Sequence, residues 1–226
     1  MKTKPVFFIF LMLLLCGCKD LTEIHQTYLD RGEIIYLARP DTVTAGQGYQ
    51  KIQLKWNPGV NQEIEGTVIY WNDRTDSLVH AVTSIRGKEA VVISNLQERI
   101  YVFELVNLAS NGIRSLPTEV SKMVLGEEYV NALFPATFTY AYDETETRLV
   151  ITWGKTDETL RYSRVKYTAL SDGSVKEVVW SPSDGTITVI DDFDAGTGKT
   201  LEVCSGYRPD GDAFEDFESG AKVIVF

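Results

Sequence analysis

Two cysteines near the start of the chain, Cys16 and Cys18, are its clearest candidates for covalent chemistry. They follow an uninterrupted apolar run, Val6–Leu15, and the run is preceded by the positive charges of Lys2 and Lys4. A basic segment, a short apolar core and a small residue before a cleavage point form the pattern of a secretory signal peptide. The run is too short to cross a bilayer core of about 30 Å, so the pattern predicts export of the chain.

The tetrad Leu15-Cys16-Gly17-Cys18 resembles the lipobox of bacterial lipoproteins. This resemblance implies cleavage before Cys18, diacylation of the Cys18 sulfur and acylation of its new amino group. Each buried CH₂ contributes about 0.8 kcal/mol, so several acyl chains hold a protein on a membrane. An ordinary signal peptide with an incidental cysteine pair, or a signal anchor that is never cut, stays open as an alternative.

The two residues after the tetrad, Lys19 and Asp20, resemble the short export signal of surface-exposed lipoproteins in the Bacteroidetes group. This resemblance implies a lipid-anchored protein on the outside of the outer membrane. A protein that faces the periplasm is the alternative.

The remaining reactive residues are few. If Cys16 leaves with the signal peptide and Cys18 is acylated, Cys204 is the one thiol left, and no intrachain disulfide is expected. Cys204 alternates with apolar residues, which is typical of an inert thiol in a core. His25 and His80 lie far from it in sequence and show no metal-ligand spacing. We therefore expect no metal and no cofactor beyond the lipid on Cys18.

Charge excludes a class of partner. The formal net charge is −10, which argues against nucleic acid. The charge is uneven, because residues 126–226 contain 19 acidic and 9 basic side chains, whereas residues 18–125 contain 13 and 11. Removal of residues 1–17 leaves 209 of the 226 residues, a length that suits one large domain or two of about 100 residues each.

An internal repeat decides between these lengths, because a shift of 97 positions aligns two long stretches without a gap. Identities are few, but apolar residues stay aligned with apolar residues. Two copies of one β module should behave in this way, since a slip of one residue would turn every core side chain outward. The aligned pairs are Ile52 with Leu149, Leu54 with Ile151, Trp56 with Trp153, Val68 with Val165, Tyr70 with Tyr167, Leu78 with Val175, Val82 with Val179, Val92 with Val189, Ile93 with Ile190 and Leu96 with Phe193.

Both copies have strand patterns. Gln50–Trp56 and Arg148–Trp153 alternate polar and apolar residues, and turn dipeptides such as Asn111-Gly112 and Asp172-Gly173 separate the runs. The pattern predicts an all-β chain with two tandem antiparallel sandwiches of about seven strands each. The predicted divisions are a signal peptide at 1–17, a tether at 18–31, a first module at 32–126 and a second module at 127–226.

The modules resemble fibronectin type III or immunoglobulin-like sandwiches. The resemblance rests on Trp56 and Trp153 at the end of strand B, on Tyr70 and Tyr167 in strand C, and on Tyr101 at the place of the corner tyrosine. The second module has no matching corner tyrosine.

Longer strings resemble an uncharacterised family of Bacteroidetes surface lipoproteins. Such families commonly lie beside outer-membrane systems for glycan uptake, which implies a carbohydrate role, and the resemblance transfers no catalytic residue. The strings are Tyr28 to Ile34, Tyr70-Trp71-Asn72, Asp76-Ser77-Leu78 and Ser110 to Ser115.

Aromatic side chains are the best candidates for contact with sugars, because a ring packs against the apolar C–H face of a pyranose. Strand alternation assigns Trp56 and Trp153 to the cores, whereas register places Ile69 and Trp71 on the outward face. An outward tryptophan needs a partner. Three roles stay open for Trp71: binding a glycan or protein, packing against the other module or the tether, or cover by a neighbouring loop.

A second tryptophan, Trp180, lies in the outward phase of the next strand of the second module with Lys176 and Val178. Polar groups that follow Trp71 complete the predicted ligand-binding set. The set is Trp71, Asn72, Asp73, Arg74 and Trp180.

The acidic loops offer two further possibilities. Asp191, Asp192 and Asp194, with the acidic residues between 210 and 218, could gather oxygens around Ca²⁺, although their order matches no EF-hand loop. The same carboxylates could include a glycosidase pair, but no large insertion that would form a cleft is present. Solubility is the simpler role of an acidic surface.

These observations predict a non-catalytic lipoprotein of the cell surface that binds or presents glycan beside an outer-membrane uptake system. The alternative is a structural or assembly protein that binds partner proteins at the outer membrane.

Overall fold

The computed structural model describes residues 37–60, 63–84 and 87–226. The predicted signal peptide at 1–17, the tether at 18–31 and Cys18 lie outside these residues. In the described part of the chain, no helix combines the length and the apolar character that a membrane crossing requires.

The first sandwich contains seven strands within the described residues. Their bounds are β1 Asp41–Gly48, β2 Lys51–Asn57, β3 Ile64–Trp71, β4 Asp76–Ala81, β5 Glu89–Ser94, β6 Ile100–Ala109 and β7 Thr118–Met123. One sheet has the order β1–β2–β5 and the other has the order β4–β3–β6–β7, with antiparallel neighbours throughout. The core lies between the two sheets, because both contribute fully buried side chains to it.

The second sandwich repeats this arrangement. Its strands are β8 Phe138–Asp143, β9 Arg148–Trp153, β10 Leu160–Thr168, β11 Val175–Trp180, β12 Ile187–Ile190, β13 Thr200–Tyr207, β14 Phe217–Glu218 and β15 Lys222–Val225. One sheet has the order β8–β9–β12, and the other has β11–β10–β13, with β14 and β15 both paired to β13. The predicted fold class is confirmed: the chain is all-β, with two tandem immunoglobulin or fibronectin type III-like sandwiches.

A short helix, α1 (Glu127–Ala132), connects the two sandwiches. Its first turn is held by the side chain of Glu98, whose carboxylate accepts backbone N–H groups from Glu128 and Tyr129 at 2.8 Å each. A carboxylate at a helix N-terminus satisfies donors that the helix itself leaves unpaired.

The predicted alternation is confirmed in β2 and in its counterpart in the second module, β9. Trp56 and Trp153 are buried, as are the apolar residues that alternate with them in β2 and β9. Their indole N–H groups donate to hydroxyls, from Trp56 to Thr67 at 3.1 Å and from Trp153 to Thr188 at 2.8 Å. Each large ring is therefore buried without leaving its polar atom unsatisfied.

The predicted outward position of Ile69 and Trp71 in β3 is wrong. Ile69 is fully buried in the first core, and the half-buried ring of Trp71 packs against that core. The physical reason is a difference in loop length: thirteen positions separate Trp56 from Ile69, whereas twelve separate Trp153 from Val165, the buried residue of β10. The shift of 97 therefore fails by one residue in this strand, and one residue reverses the face of every side chain.

The predicted outward position of Trp180 is also wrong. Trp180 is only 3% exposed and stacks on Trp153 with the ring centroids 4.3 Å apart and the planes 9° from parallel. Its indole N–H donates to the carbonyl of Gly185 at 2.8 Å. The face of β11 that carries Trp180 is turned towards the core, whereas Val175 and Val179 on the opposite face are exposed.

The corner tyrosine of the first module makes a local contact. The hydroxyl of Tyr101 accepts the backbone N–H of Gln97 at 3.2 Å, and its ring stacks against Phe103 with the centroids 5.9 Å apart. The bond fixes the loop between β5 and β6 against the start of β6. This loop forms one wall of the candidate site.

The segment after β13 packs back on the first sandwich. The N–H of Phe214 donates to the carbonyl of Gln47 in β1 at 3.1 Å. Lys51 forms an ion pair with Glu215 at 2.6 Å. These contacts join the two sandwiches through an edge strand, β1, whose exposed backbone groups would otherwise need another partner.

Candidate ligand-binding site

The predicted polar residues Asn72, Asp73 and Arg74 form the turn between β3 and β4. The N–H of Thr75 donates to the carbonyl of Asn72 at 3.0 Å. The φ angles of Asp73 and Arg74 are 53° and 62°, and positive φ at both central positions is typical of a type I′ turn. Asn72 also has a positive φ, of 52°.

The residues of this turn differ in how readily they adopt a left-handed backbone. Asparagine and aspartate enter the left-handed region readily, whereas Arg74 occupies a position at which glycine is favoured. A left-handed residue that is not glycine costs about 1–3 kcal/mol, and such residues cluster at functional sites. The ion pair between Arg74 and Glu104 of β6 holds the side chain in place.

Trp71, directly before this turn, forms part of a concave surface. Its ring packs against Phe103 with the centroids 6.5 Å apart, and its uncovered surface lines a cavity of about 320 Å³. The structure therefore brings together four of the five predicted ligand-binding residues. The lining residues are Trp71, Asn72, Asp73, Arg74, Arg99, Ile100, Tyr101, Val102 and Glu104.

The fifth predicted residue, Trp180, is not part of the cavity. Its stacking on Trp153 buries the ring in the second core, so it presents no ring face to a ligand.

The lining residues from β6 and the loop before it were missed by sequence reasoning. Arg99 lies 4.6 Å above the ring centroid of Tyr101 and donates to the side-chain oxygen of Asn72 at 2.7 Å. These residues are distant from Trp71 in sequence but adjacent in the sheet, because β3 pairs with β6. The corner tyrosine was the one available signal, since it marks where β6 begins.

The acidic loops of the second module are occupied by ion pairs. Hydrogen bonds from Lys176 and Ser171 lower the pKa of Asp192 to about 2. Among the described residues, no group of three Asp, Glu, His or Cys side chains is arranged to hold a metal ion. The pairs are Asp191 with Arg148, Asp192 with Lys176, Asp194 with Lys199, Asp210 with Lys122, Glu215 with Lys51, Asp216 with Arg208 and Glu218 with Arg164.

Cys204 and His80 lie in separate environments. Cys204 is half-buried in β13, and burial raises the pKa of its thiol, which disfavours the nucleophilic thiolate. His80 contacts the buried carboxylate of Glu89 at 2.9 Å. Burial raises the pKa of Glu89, but hydrogen bonds from His80, Ser84 and Thr83 outweigh this effect and lower it. This pair is on β4 and β5 of the first module, far in sequence from Cys204.

A second surface is apolar. Val189 and Ile187 of β12 are 47% and 56% exposed, and they lie beside Val150 and Thr152 on the outer face of the sheet β8–β9–β12. The outer face of the corresponding sheet in the first module carries Gln53 of β2 opposite Val92 of β5. The apolar character is therefore greater in the second module.

Comparisons with known proteins found one family model and several similar structures. A family model described as a domain of unknown function, DUF4998, matches residues 18–217. The chain is similar to the crystal structure of the FN1–FN3 domains of chicken CNTN1, with 13% identity, a TM-score of 0.39 and coverage of 83% of this chain and 67% of that chain. It is also similar to a segment of two fibronectin type III domains from chicken tenascin, with 17% identity, a TM-score of 0.32 and coverage of 83% and 98%. No curated protein matches the chain.

Proposed function

The chain belongs to the DUF4998 family, a domain of unknown function, and we propose that it is a non-catalytic lipoprotein that binds or presents glycan at the cell surface. In this proposal the lipid on Cys18 anchors the protein to the outer membrane, and the Lys19-Asp20 signal directs it outward. The sequence resemblance to surface lipoproteins of the Bacteroidetes supports a place beside a glycan-uptake system.

The observation that carries the proposal is the cavity beside Trp71. It combines an uncovered aromatic surface with several planar polar groups, and this is the combination that a sugar requires. The ring of Trp71 suits the apolar face of a pyranose, while the amide of Asn72 and the carboxylate of Asp73 suit its hydroxyls. The left-handed backbone of Arg74, at a position where glycine is favoured, also supports a functional role for this turn.

The chemistry of the cavity supports binding and not catalysis. Glycoside hydrolysis needs two available carboxyl groups across the scissile bond. Glu104 is engaged by Arg74, and Asp76, beside the cavity, accepts a hydrogen bond from Asn72. Asp73 is therefore the one cavity carboxylate to which the described residues give no cationic or hydrogen-bonding partner.

A glycan array probed with the full-length protein in detergent tests the proposal. We expect Trp71→Leu, which keeps an apolar contact with Phe103 but removes the flat ring, to weaken binding by up to about tenfold. Asp73→Asn, which tolerates the same backbone, should also weaken binding and leaves the core untouched. Tyr140→Phe, an exposed aromatic of the second module, is the matched control.

Two results would contradict glycan binding. One is that no glycan on the array binds the full-length protein. The other is that Trp71→Leu and Asp73→Asn bind every glycan as tightly as the unchanged chain, with the unfolding midpoint of each variant confirming a folded protein.

An assembly role is the second candidate, and the exposed apolar face at Val189 favours it, since such patches mark contacts with proteins. Val92, which is 41% exposed, occupies the equivalent position of the first repeat and supplies the control. A stoichiometric outer-membrane partner that Val189→Lys releases and Val92→Lys retains, without any glycan binding, would support assembly instead.

A further inference from the structure

Two contacts place the guanidinium group of Arg99 in the cavity. It lies over the ring of Tyr101 at 4.6 Å, a cation–π arrangement. Tyr101 is itself fixed on both sides, because its hydroxyl accepts the N–H of Gln97 and its ring stacks on the buried ring of Phe103. The platform beneath Arg99 is therefore part of the first core.

A short chain of hydrogen bonds orients the same guanidinium in its plane. Asn72 donates its amide N–H to the carboxylate of Asp76, and this leaves the amide oxygen to accept from Arg99 at 2.7 Å. An arginine carries five N–H donors in a planar fork. The interaction with Asn72 uses one nitrogen, and the described residues supply no other hydrogen bond or ion pair to the side chain of Arg99.

Apart from Asp73, which has no cationic partner among the described residues, the carboxylates near Arg99 are already neutralised or directed elsewhere. Arg74 forms an ion pair with Glu104, and the carboxylate of Glu98 binds the N-terminus of α1. Residues 18–125 have a net charge of −2, against −10 for residues 126–226. The cavity with Arg99 is therefore in the half of the chain that repels an anion least.

We infer that the ligand of this cavity is a saccharide that bears a carboxylate, such as a uronate unit of an acidic polysaccharide, and that Arg99 binds the carboxylate. The inference rests on the proposed function of the same cavity and names its ligand class. The free edge of a planar guanidinium matches a carboxylate with two parallel hydrogen bonds. The sugar ring that carries the carboxylate then lies towards Trp71.

The test compares polygalacturonate, alginate and hyaluronan with their carboxyl-reduced forms, which keep the polymer but replace each carboxylate by a hydroxymethyl group. Binding of the full-length protein in detergent is measured by calorimetry. We expect each bound acidic polymer to lose at least about tenfold in affinity on reduction. Arg99→Gln should cause a similar loss for the acidic form only, and Arg99→Lys a partial loss, since lysine lacks the planar fork.

Arg161→Gln is the matched control, because Arg161 is an exposed arginine of the second module with no ion pair among the described residues. Equal affinity for the acidic and reduced polymers, or no effect of Arg99→Gln, would overturn the carboxylate assignment and leave glycan binding intact. Tighter binding of dextran sulfate than of any uronate polymer would overturn it in favour of a sulfated glycan. Absence of binding to these polymers and to every neutral glycan would overturn both proposals.

Discussion

Replacement of Trp180 by alanine will lower the free energy of unfolding by about 3–5 kcal/mol, the range for removal of a large buried aromatic side chain. The ring is 3% exposed and stacks on Trp153 at 4.3 Å, so its loss leaves a cavity beside a second tryptophan. The carbonyl of Gly185 also loses the donor at 2.8 Å. Chemical denaturation of the full-length chain, followed by the fluorescence of the remaining tryptophans, measures this change.

Val179→Ala is the control for Trp180→Ala. Val179 precedes Trp180 in β11 but is 57% exposed on the opposite face, so its truncation should change stability by no more than about 0.5 kcal/mol. If the two substitutions lower the free energy of unfolding equally, Trp180 does not belong to the second core and lies on the surface.

Gly46→Ala will detach the segment after β13 from the first sandwich. A Cβ atom at Gly46 would overlap the backbone carbonyl of Asp212, and backbone cannot rotate away as a side chain does. Overpacking of this kind costs about 1–3 kcal/mol. The ion pairs of Lys51 with Glu215 and of Lys122 with Asp210 should be lost together. Limited proteolysis of residues 208–216 measures the detachment.

Gly211→Ala in the same segment is the matched control. No heavy atom lies within 4 Å of a Cβ at Gly211, and its backbone is not left-handed, so the alanine should be accommodated with unchanged proteolysis. If Gly46→Ala is as resistant to proteolysis as the unchanged chain, the two sandwiches are not joined through β1.

The fold class followed from strand alternation because most of the repeat keeps one register. Ile52 and Leu149, like Ile93 and Ile190, are equivalent under the shift of 97, and all four are buried. Ile52 and Ile93 lie as far apart in sequence as Leu149 and Ile190, although the connections between them differ in length. The two faces of a strand can then be assigned from one sequence.

The positions of the tryptophans could not be predicted because they depend on loop lengths. The one-residue difference in the connection before β3 and β10 reverses Ile69 and Trp71. It also reverses Trp180, because β11 takes its faces from its pairing with β10. An alternation within one strand shows that two faces exist, but both faces of β3 carry apolar residues. Only the neighbouring strand decides which of them is the core.

The sequence predicted only the part of the candidate site that Trp71 and the turn after it contribute. The turn after Trp71 stands out because an aromatic residue is followed by an amide, a carboxylate and a guanidinium. Its other half comes from Arg99 and Tyr101, which reach it through the pairing of β3 with β6. The left-handed backbone of the turn could not be predicted, because residues 72–74 include no glycine.

Hydrogen–deuterium exchange of the full-length protein, with and without the glycan that binds it most tightly, locates the surface that the glycan covers. We expect slower exchange of backbone amides at residues 72–75 and 97–102, with no change at residues 187–190. Protection confined to the second sandwich, or no protection at a saturating glycan concentration, would contradict this expectation.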